Sequence, residues 1–318
     1  MSTNVSANDK IRIPAGESGR RLDRFLRRRF PLASLPDIYS QIRTGRVRLN
    51  GKKCRPAHRV HEGDLLTLPG SLVSEGGRRS PPLASRVDIR LEYQDSDLIV
   101  VDKPPGLVVH PGSRHTSNTL VGQAGLLLRR AGKEADVHLV HRLDRNTSGL
   151  LVLARSPRIA RALSEMFRAG GISKEYTALV AGQTPQRGSI RVPLAKKSQS
   201  AGRRVQPGPG GLSASTSYVR LASKKGFSLL GVTLQTGRTH QIRAHLRYIG
   251  HPILGDPRYG QGDTNRKFRL RYGLDRQFLH ASRLGFAHPS TGKSIRIRSS
   301  LPADLKSVLQ RVGIPGPT

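Results

Sequence analysis

The stretch SLVSEGGRRSPPLASR, within residues 70–87, is rich in Ser, Gly and Pro and carries no hydrophobic periodicity. Such a segment buries little and ends any helix or strand that reaches it. The chain therefore cannot be built around one continuous core. The break predicts a linker over 70–87, a small unit over 20–69, a large unit over 88–318 and a polar tail over 1–19. The length of 318 residues also favours one large domain plus a smaller module.

In the small unit, RRLDRFLRRRF places Leu22, Phe25, Leu26 and Phe30 at helical spacing and fills the opposite face with Arg. LPDIYSQIRTG reads as a second short helix, with Pro36 and Asp37 in its first turn, Ile38 and Ile42 on one face, and Gly45 ending it. RVRLNGKK alternates around Asn50-Gly51, a strong hairpin signal. RVHEGDLLTLP supplies a further strand.

In the large unit, DLIVVDKPPGLVVHPG predicts two short strands around Pro104-Pro105-Gly106, and LLVLARS a buried strand. Ser156-Pro157 opens a helix carrying Ile159, Leu163, Met166 and Phe167, closed by Gly170-Gly171. EYTALVAG and SLLGVTLQTG alternate like strands, whereas KKSQSAGRRVQPGPGGLSAST reads as a mobile Gly, Pro and Lys/Arg loop. No internal repeat is evident. The class is α+β, with mostly antiparallel strands and a few helices packed on them.

Lys and Arg number 55 against 21 Asp and Glu, a formal charge of +34. Self-repulsion at that charge disfavours a compact monomer in isolation and points to a polyanionic partner, nucleic acid before membrane. The basic residues do not gather on one long amphipathic helix, so no membrane association is expected. The single Cys, Cys54, excludes an intramolecular disulfide and a Cys-rich zinc site and suits a reducing, cytoplasmic setting. MSTNVSANDK has no apolar core of a signal peptide, and no run approaches a membrane-spanning length.

Three stretches carry chemistry. In HRLDRNTSG, Asp144 stands between Arg142 and Arg145. A carboxylate beside guanidinium groups stays ionised even when partly buried, which suits catalysis and equally suits a structural ion pair in a turn. In LQTGRTHQIRAHLRYIG a strand gives way near Thr239 to a helix with Ile242, Leu246 and Ile249 on its core face and Arg243 and His240 turned away from it. His240 and His245 are five apart, on different faces, which is poor spacing for a metal. In ISKEYTALVAG, Tyr176 lies in an apolar strand, where a core role would satisfy it. TGKS at 291–294 lacks the first Gly of a phosphate loop, since that position is Ala287, and reads as a hairpin turn. Ser148 lacks the flanking glycines of a hydrolase elbow.

Taken together, HRLDRNTSGLLVLA, KEYTALV, TGRTHQIRAHL, GHPILGDPRYG and FLHASRLGFAHP resemble, in order, the motifs of the RluA family of pseudouridine synthases over most of residues 90–300. Residues 20–68 resemble an S4 RNA-binding module. The S4 details and LPDIY are most similar to the branch acting on large-subunit ribosomal RNA, while the His-Pro-Gly of VVHPGSRHTSNTLV is more similar to a sister branch.

The resemblance implies a pseudouridine synthase fold, a mostly antiparallel mixed sheet with flanking helices, behind a small α+β S4 domain. It implies a catalytic Asp144 paired with Arg243, and a Tyr176 that stacks on uracil and assists proton transfer from C5. Arg142, Arg145, Arg238 and His240 would contact substrate, with Arg142 either filling the gap left by the extruded base or holding a phosphate. Arg21, Arg24, Arg28, Arg43, Arg46, Arg48, Lys52 and Lys53 would grip phosphates. No cofactor or metal is implied. The expected partner is large-subunit ribosomal RNA or a pre-ribosomal particle, and the expected form is a monomer. A transfer RNA synthase of the same family and a non-catalytic ribosome-assembly factor are the alternatives. The intact trio Asp144, Tyr176 and Arg243 argues against the second.

Overall fold

The computed structural model describes residues 9–30, 33, 35–73, 87–110, 118–133, 136–197, 204–224 and 226–317. The chain divides into two compact units, a smaller one within residues 1–82 and a larger one built from residues 83–110 and 117–318.

The small unit contains β1 (Asp9–Arg12), α1 (Leu22–Arg29), α2 (Leu35–Arg43), β2 (Arg48–Leu49), β3 (Lys52–Lys53), β4 (Leu65–Leu68) and α3 (Gly70–Val73). Its strands pair in the order β1-β4-β2-β3. Leu22, Phe25 and Leu26 of α1 and Ile38 and Ile42 of α2 are buried with Val47, Leu49, Leu66 and Leu68, as their spacing requires. Asn50 and Gly51 take φ of 50° and 74°, the left-handed pair that turns a tight hairpin.

Two boundaries differ from the sequence reading. Residues 9–12, expected in the polar tail, pair with β4, and Ile13 is buried beyond them. The alternation of Ile11 and Ile13 with charged residues is a strand signal that the surrounding polarity concealed. Gly70–Val73, expected to open the linker, is a helical turn that buries Leu72. Residues 1–8 of the tail and 74–86 of the linker lie outside the described residues.

The large unit runs β5 (Arg90–Gln94), β6 (Leu98–Lys103), α4 (Leu120–Arg130), β7 (His138–Leu139), β8 (Ser148–Ala154), α5 (Pro157–Ala169), β9 (Ile172–Ala181), β10 (Arg187–Ile190), β11 (Leu194–Lys197) and β12 (Arg204–Pro207). It continues through β13 (Thr216–Lys224), β14 (Phe227–Leu234), α6 (Gln241–Tyr248), α7 (Gly262–Tyr272), β15 (Leu279–Ala287), β16 (Ser294–Arg298) and α8 (Ala303–Val312). The main sheet has the order β10-β13-β14-β9-β15-β8-β6-β5, with β16 on β15 and β7 on β8. Its pairings are antiparallel except β15 with β8. The class is α+β.

The strand β8 is buried throughout because both of its faces are covered. Leu151 and Leu153 join the core that holds Leu120, Ile242 and Leu305 of α4, α6 and α8, while Leu150 and Val152 pack with Ile159 and Leu163 of α5. Ser156 caps α5 by accepting from the Ile159 amide, and Gly170 closes it with φ 77°.

Two further expectations are corrected. LVVH, expected as a strand after Pro105, is irregular, because the carbonyls of Val108 and Val109 accept from the amides of Leu120 and Val121 at the start of α4. The Gly/Pro-rich segment after Pro193 is not simply a loop. Its ends pair as β11 and β12, burying Leu194 and Val205 beside Ala244 and Tyr259; residues 198–203 lie outside the described residues.

Where β8 meets β15, Gly149 has φ 113°, and a Cβ there would lie 2.3 Å from the carbonyl oxygen of Ala281. Only glycine permits this approach, which sets the start of β8. Gly149→Ala is expected to destabilise the protein by about 1–3 kcal/mol, read as a lower midpoint of urea unfolding. An unchanged midpoint would mean that this strand contact is not required.

Candidate active site

Asp144 stands in the loop between β7 and β8, and that loop is fixed from two sides. On one side is Lys103, wholly buried at the end of β6. Its Nζ donates to the carbonyls of Pro104, Leu107 and Arg145 at 2.9, 3.1 and 2.9 Å. An ammonium has three protons, and three carbonyl oxygens receive them. Burial, reinforced by the Arg276 charge, draws the Lys103 pKa down to about 7, against the Asp144 and Asp102 charges, which raise it. On the other side, Arg276 donates to the Asn146 carbonyl at 3.1 Å and Gln277 to the Thr147 hydroxyl at 3.2 Å.

Arg243, on α6, reaches Asp144 across 99 residues of sequence, with Nη1 2.7 Å from Oδ2. The other edge of the guanidinium is closed by Asp256, which accepts from Nε at 2.7 Å and from Nη2 at 2.8 Å. Asp256 also accepts from the amides of Arg258 and Tyr259. The Tyr259 ring covers the guanidinium, 5.1 Å from its carbon. Burial works against both charges. The bonds and charges of Asp256 and Asp144 more than offset it for Arg243, whose pKa stands above its ordinary value. Arg243 and the two amides likewise hold Asp256 below the usual carboxylate range. Side-chain exposure falls from 19% at Asp144 to 7% at Arg243 and 0% at Asp256, so the pair opens only at Asp144. Arg142 and Arg145 make no ion pair with Asp144.

The approach to α6 is set by Gln241. Its side chain accepts from the Arg238 amide and the Thr236 hydroxyl and donates to the Ser215 carbonyl and the Thr216 hydroxyl. This network holds His240 in the left-handed region, φ 54°, at the head of the helix. The Tyr259 hydroxyl accepts from the Val205 amide at 3.2 Å and lies 3.1 Å from the Val205 carbonyl and 3.0 Å from His240 Nδ1. His240 Nε2 lies 3.8 Å from Asp144 Oδ1. Burial keeps the His240 pKa below normal despite the Asp144 charge. His245 points elsewhere, bonding Thr216 and the Val192 carbonyl, so the two histidines do not converge.

A cavity of about 530 Å³ opens over Asp144. Tyr176 of β9 lines it, as do Arg142, Arg238, His240 and Arg243. Burial, and then the Asp144 charge, push the Tyr176 hydroxyl pKa well up, so the phenol is neutral. It can accept a proton only by passing its own on. Arg238 spends its Nε on the Ser213 carbonyl. Arg145 is not brought to the cavity: its guanidinium turns to the Gly106 carbonyl at 3.0 Å and serves the loop. Ser148 bonds His280 at 3.0 Å, but both are buried away from the cavity and Arg276 also donates to the hydroxyl, an arrangement without a path for substrate.

The proposed phosphate-gripping residues lie on the small unit. Arg24, Arg28, Arg43, Arg46, Arg48, Lys52 and Lys53 are exposed. Arg21 is tied to Asp23 by two bonds, and Arg28 stands 3.5 Å from Glu17. Residues the sequence reading left unassigned are Asp256, Tyr259, Gln241 and Lys103. Asp256 and Tyr259 sit together in GDPRYG, and a buried Arg that must serve a second carboxylate was the signal that could have found them.

A family model described as RNA pseudouridylate synthase matches residues 97–248, and an S4 domain model matches residues 20–66. The chain is 37% identical to ribosomal large subunit pseudouridine synthase C of Escherichia coli (strain K12), covering 98% of this chain and 99% of that protein. It is 39% identical to an uncharacterized RNA pseudouridine synthase of Chloroflexus aurantiacus, over 94% and 92%. Among solved structures, human RNA pseudouridylate synthase domain containing 4 superposes with a TM-score of 0.59 at 25% identity, over 72% of this chain and 94% of that one.

Asp256→Asn breaks a buried ion pair and is expected to cost about 3–5 kcal/mol of stability. The depressed Asp256 pKa means the pair contributes fully above the ordinary carboxylate range and is lost as pH falls through and below it. The variant's acid unfolding curve should therefore be flatter than that of the wild type. Parallel curves in thermal melts at descending pH would contradict this account.

Proposed function

The chain belongs to the RluA family of RNA pseudouridine synthases and carries an N-terminal S4 domain, and we propose that it isomerises uridine to pseudouridine in large-subunit ribosomal RNA with Asp144 as the catalytic carboxylate. The observation that carries this reading is the Asp144–Arg243–Asp256 array at the floor of a cavity lined by Tyr176. The reaction breaks the N1–C1′ bond and forms a C5–C1′ bond; C5 loses a proton and N1 gains one. Nothing is oxidised and no group is imported, so the chain's own side chains suffice.

Attack at C1′, addition to the base and removal of a ribose proton all require an ionised Asp144. Arg243 orients that carboxylate through a 2.7 Å bond in a site largely shielded from water. Tyr176 stacks on the uracil, and its neutral hydroxyl relays the C5 proton. The base has to leave its stack, at a cost of a few kcal/mol that is least in loops. Arg142 is free to stack in the gap or to hold a phosphate. Arg238 and His240 flank the ring. The small unit supplies Arg24, Arg43, Arg46, Arg48, Lys52 and Lys53 to the RNA backbone, with Arg21 and Arg28 partly engaged by acids. On this reading the enzyme is a cytoplasmic monomer acting on ribosomal RNA or a pre-ribosomal particle.

Pseudouridine mapping of ribosomal and transfer RNA, with and without the protein, tests the substrate class. Loss of sites confined to transfer RNA would overturn it. Asp144→Asn should abolish tritium release from C5-labelled uridine RNA while leaving affinity within a few fold; retained turnover would remove Asp144 from the chemistry. Binding should fall steeply with salt, about 0.7 log units per log unit of salt for each phosphate contact on a single strand. Joint Arg46→Ala and Arg48→Ala should flatten that slope by roughly one to two units in filter binding.

A further inference from the structure

The cavity has a second end, which the Asp144 chemistry does not use. Lys174 of β9 is only 6% exposed, yet among the described residues it makes no hydrogen bond and no ion pair. It lines the cavity, and its nitrogen is not among the buried atoms sealed from contact. The ammonium lies over the Phe167 ring, 5.1 Å from its centre, and Phe167 packs on His141 at 4.4 Å. His141 supplies no counter-charge. Its Nε2 accepts from the Val152 amide, and burial together with the Lys174 charge holds its pKa down to about 3. Past the ammonium runs the backbone of Gly237, where a Cβ would stand 3.9 Å from Nζ.

The neighbouring charges are of the same sign. Arg142 and Arg168 line the same cavity, and neither is paired among the described residues. The one carboxylate in the lining is Asp144, already engaged by Arg243. A buried cation is costly without a counter-ion, and a lysine free to do so carries its charge to bulk water along a flexible stem. Burial does depress the Lys174 pKa. Three unmatched cations are more than a neutral uracil can use, and they suit a phosphodiester. Lys174 and Tyr176 are two residues apart in one strand, hence on one face and about 7 Å apart, the scale of a single nucleotide.

We propose that Lys174, supported by Arg142 and Arg168, forms an anion subsite that grips a backbone phosphate next to the flipped uridine, so the nucleotide is held at two points, its ring at Tyr176 and its phosphate at Lys174. This rests on the RNA substrate proposed above. It makes Lys174 a binding and positioning residue, placed to draw the strand inward as the base leaves its stack.

The test uses the full-length enzyme and a synthetic RNA spanning a ribosomal segment in which the wild type converts a uridine. Each phosphate within two positions of that uridine is replaced in turn by an uncharged methylphosphonate. In the wild type, one such replacement should weaken binding roughly ten- to a hundredfold, the range for a charged hydrogen bond. Lys174→Met should lose about as much on unmodified RNA and nothing further on that methylphosphonate RNA. Lys174→Arg should keep the phosphate sensitivity. Additive losses would overturn the proposal. So would a slower single-turnover rate with affinity unchanged, which would place Lys174 on the base. A wild-type scan with no sensitive phosphate would do the same, even if Lys174→Met failed to fold. If the wild type converts no ribosomal uridine, the functional reading itself fails and takes this proposal with it; a silent scan on a converted RNA sinks Lys174 alone.

Discussion

The active site depends on one guanidinium held between two carboxylates. Arg243 gives two of its donors to Asp256 and one to Asp144. One positive charge between two negative ones leaves a surplus of one negative charge, and exposure decides where it acts. Asp256 is sealed and satisfied by four donors, whereas Asp144 holds a single bond from Arg243 and keeps an oxygen toward the cavity. The inner carboxylate therefore fixes the guanidinium, and the guanidinium aims the outer carboxylate without fully neutralising it. An Arg–Asp pair closed on both edges would be as firmly held but would have no oxygen left for chemistry.

The local negative charge sits in a protein of formal charge +34. The two signs divide the work. The basic surface attracts a polyanion over the range of a Debye length and sets its position without reading bases. At the cavity the one lining carboxylate stands among Arg142, Arg168, Lys174 and Arg238, which offset its repulsion of a polyanion. Lys103 serves the same end from beneath. Its cage draws the loop after β6 and the loop carrying Asp144 onto one buried cation, so both loops are tied to the central strands.

Elements with local signals could be read from the sequence. The helix α5 has Ser156, Pro157 and Gly170 at its ends and Ile159 and Leu163 on one stripe. The hairpin at Asn50-Gly51 needs only two residues. What could not be read was pairing at a distance. The strand β1 is four residues long and finds its partner more than fifty positions later, at Leu65–Leu68. LVVH has strand composition, but its carbonyls are taken by α4 before another strand can reach them. The hairpin of β11 and β12 is disguised by Gly and Pro, and only Leu194 and Val205 mark it. The helix α7 is mostly polar and buries little beyond Phe268 and Tyr272, too narrow a stripe for periodicity to show.

The same limit governs the site. HRLDR presents Asp144 between two arginines, and the natural inference is that they are its partners. The fold sends them apart. Arg142 faces the cavity, Arg145 turns back to the Gly106 carbonyl, and the partner of Asp144 arrives from α6, 99 residues away. A motif resemblance can name Asp144 and Arg243 because each lies in a distinctive string. It cannot say that Asp256 completes the pair or that Lys103 anchors the loop, because those roles exist only once the strands have met. The residues around a catalytic group were legible as identities, while the division of labour among them is a property of the closed fold. Because their neighbour Asp144 already has its counter-charge in Arg243, one arginine is left to the loop and the other to the cavity.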